Sequence, residues 1–186
     1  MWLDWISDEF EIIQKDDLDK LFNFKEMYQK SISDFLYLKL CKKYLKYLIT
    51  LLSEVETKGL EEKYNFSFLN VRQVFEEILE IWGLDLNNSS KIWDLYLNFE
   101  INNSKKFSSS NNDIEVSKTI LLIRSIYRRR LSFPHVDMDI VWIEYNKWET
   151  DDEERVKVKK KYNEVRNCIK YRLVKKSVIS LILKKN

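Results

Sequence analysis

The sequence predicts an all-α protein, an α-solenoid (superhelix) of antiparallel helix pairs, on three observations. Glycine occurs twice and proline once in 186 residues, too few for the turns of a β-rich fold. An aromatic triplet with spacing i, i+3, i+6 recurs along the chain. Between its copies a second pattern recurs, a basic or polar residue followed by an aromatic and then an aliphatic one. At ~100° per residue, a triplet spans about a third of the helix circumference and is therefore a buried stripe. A single helix pair cannot bury that stripe alone, so neighbouring pairs must stack.

The triplets read Trp2/Trp5/Asp8, degenerate at its third place, Cys41/Tyr44/Tyr47, degenerate at its first, Trp93/Tyr96/Phe99 and Trp142/Tyr145/Trp148, with offsets of 39, 52 and 49. The second pattern reads Lys25/Tyr28/Ile32, Arg72/Phe75/Leu79 and Arg124/Tyr127/Leu131, and a last copy, Lys159/Tyr162/Arg166, lacks the aliphatic residue. From the second copy to the third both patterns shift by 52. They move as one unit, a helix A followed by a helix B. The expected array has four pairs, at about 1–35, 36–83, 89–133 and 138–173, plus the start of a further helix at 174–186. The apolar tail from Val178 to Leu183 is expected to fold back on the last pair or to meet another copy.

Punctuation agrees with these boundaries. Gly83 follows Trp82 where the second helix B should stop, Asn88 to Ser90 can cap the next helix A, and Pro134 follows the third helix B. Asn102 to Asn112 is rich in Asn and Ser, which predicts a flexible loop at 102–113 between a helix A and its helix B.

Hydrophobic residues make up 45%, aromatics 14% and charged residues 33% of the chain, so apolar material for a core is ample. Alanine is absent and Lys, Asn, Ile, Tyr and Phe are plentiful, a skew that carries no chemistry. A net charge of +2 is too balanced to mark a nucleic-acid binder. The distribution is less even: Asp8, Glu9, Glu11, Asp16, Asp17 and Asp19 crowd the start, and Lys and Arg dominate from Arg155 to Lys176. Cys41 and Cys168 have neither zinc-site nor disulfide-framework spacing, and a reducing compartment fits them. The start has no basic and apolar leader pattern, and no apolar run reaches the ~18 residues of a membrane span. A first helix beginning almost at Met1 suggests a piece of a longer protein.

Glu9, Glu100 and Glu149 each follow a Trp by seven residues, ~20° from it around the helix, at the edge of the buried face. Each is expected to accept charge-assisted hydrogen bonds from a basic residue of a helix B, such as Arg72 or Arg124, with Glu100 and Arg124 as the pair to test. No nucleophile, histidine pair or metal-ligand cluster accompanies them, and His135 is the only histidine. The expectation is a protein with no catalytic, cofactor or metal site. Trp2, Trp93 and Trp142 could in principle stack bases, but core packing at helical spacing accounts for them. Arg128, Arg129 and Arg130, with Lys159, Lys160, Lys161, Arg172 and Lys175, are the candidates for a nucleic-acid or partner surface. A solvated solenoid face is the simpler reading of the same charges.

The stretches Trp93 to Glu100 and Trp142 to Glu149 resemble helix A of the half-a-tetratricopeptide (HAT) repeat, and Val71 to Leu79 and Ile123 to Leu131 resemble its helix B. Trp2-Leu3-Asp4-Trp5-Ile6-Ser7-Asp8-Glu9, and Tyr127 to Pro134 leading through Asp137-Met138 to Trp148, resemble the amino-terminal HAT region of one family. It is the U4/U6 small nuclear ribonucleoprotein recycling factor family called squamous cell carcinoma antigen recognised by T cells. The likeness runs over roughly residues 2 to 173. It implies a nuclear scaffold that binds proteins of the splicing machinery, deubiquitinases among them. The family's two RNA-recognition domains and tail motif have no counterpart here, so specific RNA binding is not implied. Dimerisation in the family belongs to later repeats, which implies a monomer. Where the family carries a small residue in helix B, this chain has Ile78, Arg130 and Val165, so close helix approach is not implied there.

The first functional reading is therefore a non-catalytic protein scaffold in U4/U6 recycling. A second moves the same fold to messenger-RNA 3′-end cleavage or ribosomal-RNA processing. A third is a basic helical RNA-binding module in residues 155–176.

Overall fold

The computed structural model describes residues 18–34, 37–86 and 88–183, with side chains placed up to Cys168, apart from those of residues 33 and 34. Among these residues there are eight helices and no strand: α1 (Leu18–Asp34), α2 (Leu38–Lys58), α3 (Glu61–Tyr64), α4 (Phe68–Trp82), α5 (Ser90–Ser109), α6 (Asp113–Leu131), α7 (Met138–Trp148) and α8 (Asp152–Leu183). They fall into two compact units, residues 1–83 and 84–186, divided after Gly83, where the sequence ends its second helix pair.

In the first unit α2 carries the core. Its buried residues Cys41, Tyr44, Leu45, Leu48, Leu51, Leu52 and Val55 recur three and four apart, the one-sided stripe of an amphipathic helix. Fully burying a leucine such as Leu45 or Leu48 contributes about 2 kcal/mol each. On one side α1 meets this stripe through Phe24, Tyr28, Tyr44 and Tyr47, whose rings lie 5.1 to 5.4 Å apart. The Tyr47 hydroxyl donates to the Leu21 carbonyl at 2.5 Å. Helix α4 also packs on α2. Helix α2 stops at Gly59, whose φ of +62° places it in the left-handed region that only glycine enters without cost. Helix α4 starts at Ser67, whose hydroxyl accepts from the Leu69 N–H while Asn70 Oδ1 accepts from the Ser67 N–H, a reciprocal cap.

The second unit is a three-helix layer continued by α8. Helices α5 and α6 form its most extensive contact, and α7 and α8 both pack on α6. One expectation is overturned here: the Asn/Ser-rich stretch is not a loop over 102–113. Helix α5 runs through it to Ser109, leaving only Ser110 to Asn112 as the link. The reason is local. Buried Asn103 and half-buried Phe107 carry the inner face onward from Phe99 and Glu100. The hydroxyls of Ser108 and Ser109 donate to the carbonyls four residues back, Ser104 and Lys105, at 2.9 and 3.0 Å, so the serines satisfy themselves on the helix. The turn is then made by Asn111 at φ 53° and by Asn112, whose side chain caps α6 at the Glu115 N–H. The chain end also differs from expectation. A single helix, α8, continues without a break from Asp152 to Leu183 where a new helix was expected from 174. The orientation of the apolar tail lies outside the described side chains.

Candidate protein-interaction surface

The repeat residues sit as follows. Trp93, Tyr96 and Phe99 on α5 are buried, as are Tyr44 and Tyr47 on α2, Phe75 and Leu79 on α4, and Tyr127 and Leu131 on α6. On α7, Tyr145 is buried and Trp142 and Trp148 are half-buried. The Trp142 ring stacks on Tyr162 of α8 at 5.1 Å, and Tyr127 lies 5.3 Å from Tyr145 and 5.5 Å from Trp148. These rings contact one another across helices, which leaves their faces occupied by protein. Arg72 lies with its guanidinium 5.2 Å from the Phe68 ring. Pro134 stands half-buried in the turn between α6 and α7. Trp2, Trp5 and Glu9 lie outside the described residues.

Glu149, at the end of α7, is 2% exposed. Arg124 of α6 grips it with two parallel bonds, Nε to Oε2 at 2.7 Å and Nη2 to Oε1 at 2.8 Å. The Asp151 N–H and the Tyr145 hydroxyl donate to the same carboxylate at 3.0 and 3.2 Å. The hydrogen bonds from Arg124 hold this carboxyl at about 2, below its ordinary 4.5, against the opposing effect of burial. A helix B arginine thus holds a helix A glutamate, but not in the expected partnership. Arg124 is taken up by Glu149 of the following pair, not by Glu100 of its own. The reason is register: Arg124 sits on α6 where the end of α7 packs against it, as the packing of Tyr127 against Trp148 shows. Glu100 is fully buried on α5.

The arginine triplet does not form one cationic surface. Arg128 pairs with Glu154 of α8. The Arg129 guanidinium lies 5.2 Å from the Trp93 ring. Arg130 is 2% exposed, with Nη1 donating to Asp94 at 2.7 Å and Nη2 donating to the Ser90 hydroxyl at 2.9 Å. A triplet on a helix points three ways, and the third position here falls on the inner face. Farther on, Lys157 pairs with Glu154 and Lys161 with Glu164, whereas Lys159 and Lys160 are exposed. The Lys157 and Lys161 side chains join Arg128, Glu154 and Val158 around a shallow cleft of about 280 Å³. Arg172 and Lys175 lie on α8 beyond the described side chains.

A larger groove, about 590 Å³, opens between α5, α6 and α7. Asp94, Leu97, Asn98 and Ile101 line it from α5, Tyr127 and Arg130 from α6, and Asp137, Ile140, Val141 and Glu144 from the start of α7. Its two walls are tied together. Asp94 and Ser90 of α5 both hold Arg130, and the Ser90 hydroxyl donates in turn to Asp137. Three carboxylates face one guanidinium, and Glu144 is exposed with no hydrogen-bond or ion-pair partner among the described residues. Burial, with the nearby Glu144 charge second, pushes the Tyr127 phenol up. Neither the recurring aromatic residues nor the basic runs of the sequence mark this groove. Its signal was present: Asp94, Asn98 and Ile101 share one helical face, as do Asp137, Ile140, Val141 and Glu144.

Two kinds of comparison bear on what this arrangement belongs to. The chain is 27% identical over 151 residues to the spliceosome associated factor 3, U4/U6 recycling protein, of Homo sapiens, and equally to that of Pongo abelii. Each match covers 81% of this chain and 13% of the relative, so the chain spans about an eighth of those proteins' length. It is also 30% identical over 81 residues to the mRNA 3′-end-processing protein RNA14 of Candida albicans, covering 44% of this chain and 10% of that one. The family model described as Suppressor of forked protein (Suf) matches residues 1–178. With that match running over nearly the whole chain, and with helices and no strand among the described residues, the chain belongs to the Suppressor of forked family of HAT-repeat α-solenoid proteins.

Proposed function

We propose that this chain is a non-catalytic protein-interaction scaffold in nuclear RNA processing, and that the process is pre-mRNA splicing, through assembly or recycling of U4/U6 particles. The observation that carries the scaffold reading is where the chemistry-bearing side chains go. The aromatic stripes, Glu149 and the arginines Arg124, Arg128 and Arg130 are engaged in holding helices together, and what remains open is a shaped groove. Suf-family HAT proteins are of scaffold type, which supports the same reading. The choice of splicing is supported by likeness to the U4/U6 recycling protein over 81% of the chain. Partners would be proteins of the splicing machinery, with deubiquitinases as a further class.

A second reading, a scaffold in mRNA 3′-end processing, is favoured by the likeness to RNA14 over residues amounting to 44% of the chain. The two separate by affinity capture from nuclear extract with the tagged chain, followed by mass spectrometry. Enrichment of U4/U6 proteins supports the first reading. Enrichment of cleavage factors in their place overturns it in favour of the second.

A further inference from the structure

We propose that the groove between α5, α6 and α7 docks a basic, aliphatic segment of a partner protein, one in which lysine or arginine side chains alternate with leucine- or isoleucine-sized ones. The inference rests on the scaffold reading above and names the chemistry of the partner at one place on the scaffold.

Charge decides the occupant. Asp94, Asp137 and Glu144 outnumber Arg130, and Arg130 is already consumed by Asp94 and Ser90 at the floor. The rim therefore keeps negative charge. Asp94 is 51% exposed despite its bond to Arg130, and Glu144 is exposed with no hydrogen-bond or ion-pair partner among the described residues. A nucleic-acid backbone or an acidic peptide would meet like charge here. A purely apolar helix would strip water from Glu144 and Asp94 and give nothing back. A cation on an aliphatic stem answers both, because lysine and arginine lay their methylenes on apolar surface while the charged head reaches a carboxylate.

The apolar half of the match is equally specific. Ile140, on the α7 wall, is 60% exposed and offers an aliphatic surface at the groove's rim, above the buried Val141 of the same helix. Leu97 and Val141 are buried beneath, and Ile101 is half-buried beside Asn98. The volume of about 590 Å³ is that of a cleft able to take a ligand of small-molecule size, roughly 300 to 1,000 Å³. The groove is also held in shape before anything binds. The chain of bonds from Asp94 through Arg130 and Ser90 to Asp137 ties α5, α6 and α7, which lowers the ordering cost of docking.

The test uses the full chain and an array of immobilised nine-residue peptides in which lysine or arginine alternates with leucine or isoleucine, beside copies with every cation replaced by glutamate. Glu144→Lys and Ile140→Asp change exposed positions, so circular dichroism should report unchanged helix content for both. The wild-type chain should bind the basic peptides and not the acidic copies, and each substitution should weaken binding by about ten-fold. No binding to the array, equal binding to the acidic copies, or binding that neither substitution weakens would each overturn the proposal. Nuclear proteins captured equally well by wild type and by Glu144→Lys would overturn the groove assignment while leaving the scaffold reading intact. Loss of every captured protein on nuclease treatment would instead overturn the scaffold reading.

Discussion

Arg124 and Glu149 are joined by two parallel hydrogen bonds, and that bond fixes the second helix of one repeat to the end of the first helix of the next. The carboxylate is buried and the guanidinium nearly so, which makes removal of one partner costly: the other is left charged without compensation. Glu149→Gln is expected to lower the unfolding free energy by about 3 kcal/mol. In a double-mutant cycle with Arg124→Ala, monitored by urea denaturation, the coupling should be about 2 kcal/mol. Additive single effects would contradict the pin.

Acid should loosen the protein in two stages. His135 is buried beside the positive charge of Arg130, with Asp137 opposing, and burial first and Arg130 second push its imidazole from 6.5 down to about 4. The unfolded chain therefore takes up a proton near pH 6.5 that the folded chain refuses until about pH 4, so stability falls as pH drops through that window, by about 2 kcal/mol. Glu149, held at about 2, contributes stability that is complete above its ordinary 4.5 and is lost between pH 4.5 and 2. Thermal denaturation across pH 7 to 3 should show the upper limb in the wild type and its absence in His135→Gln. An unchanged upper limb in that variant would show that another group titrates there.

Arg130 offers a contrast between volume and charge. Arg130→Ala should cost about 3 kcal/mol, from the cavity at a buried position and the loss of bonds to Ser90 and Asp94. Arg130→Met keeps most of the volume, and Asp94 is exposed enough to recover water, so its cost should stay near 1 kcal/mol. Denaturation midpoints of the two variants decide it.

At the end of α2, Gly59 adopts φ +62°, and a Cβ there would meet no atom within 4 Å. Gly59→Ala should therefore lose only the conformational advantage of glycine, about 1 kcal/mol, with no change in spectroscopic helix content. A much larger loss would mean a steric role the geometry does not contain.

Helix positions were legible in the sequence wherever apolar residues kept a 3.6-residue period. The stripe of α2 and the Trp93/Tyr96/Phe99 face of α5 belong to this class. The continuation of α5 through Asn102 to Ser109 was not, because composition suggested a loop while the serine hydroxyls bonded back to their own helix. The type of the charged pin was legible from the register of Glu149 behind Trp142. Its partner was not, since spacing along one chain does not say which neighbouring pair an arginine reaches. Arg130 read as one of three surface cations and proved buried, because consecutive helical residues point about 100° apart and only packing decides which points in. The groove was legible only in part: Asp94, Asn98 and Ile101 share one helical face, as do Asp137, Ile140, Val141 and Glu144, but only packing brings the two faces together beside Arg130.

The most direct test of the central claim, that this chain works by binding proteins, is capture from nuclear extract with and without nuclease, scored by mass spectrometry and repeated at rising salt. The account predicts that the same set of RNA-processing proteins is retained after nuclease, with little loss as salt increases. Loss of all partners on nuclease treatment, together with salt-sensitive binding of RNA by the purified chain, would contradict it and assign the work to the basic residues of the stretch 155–176.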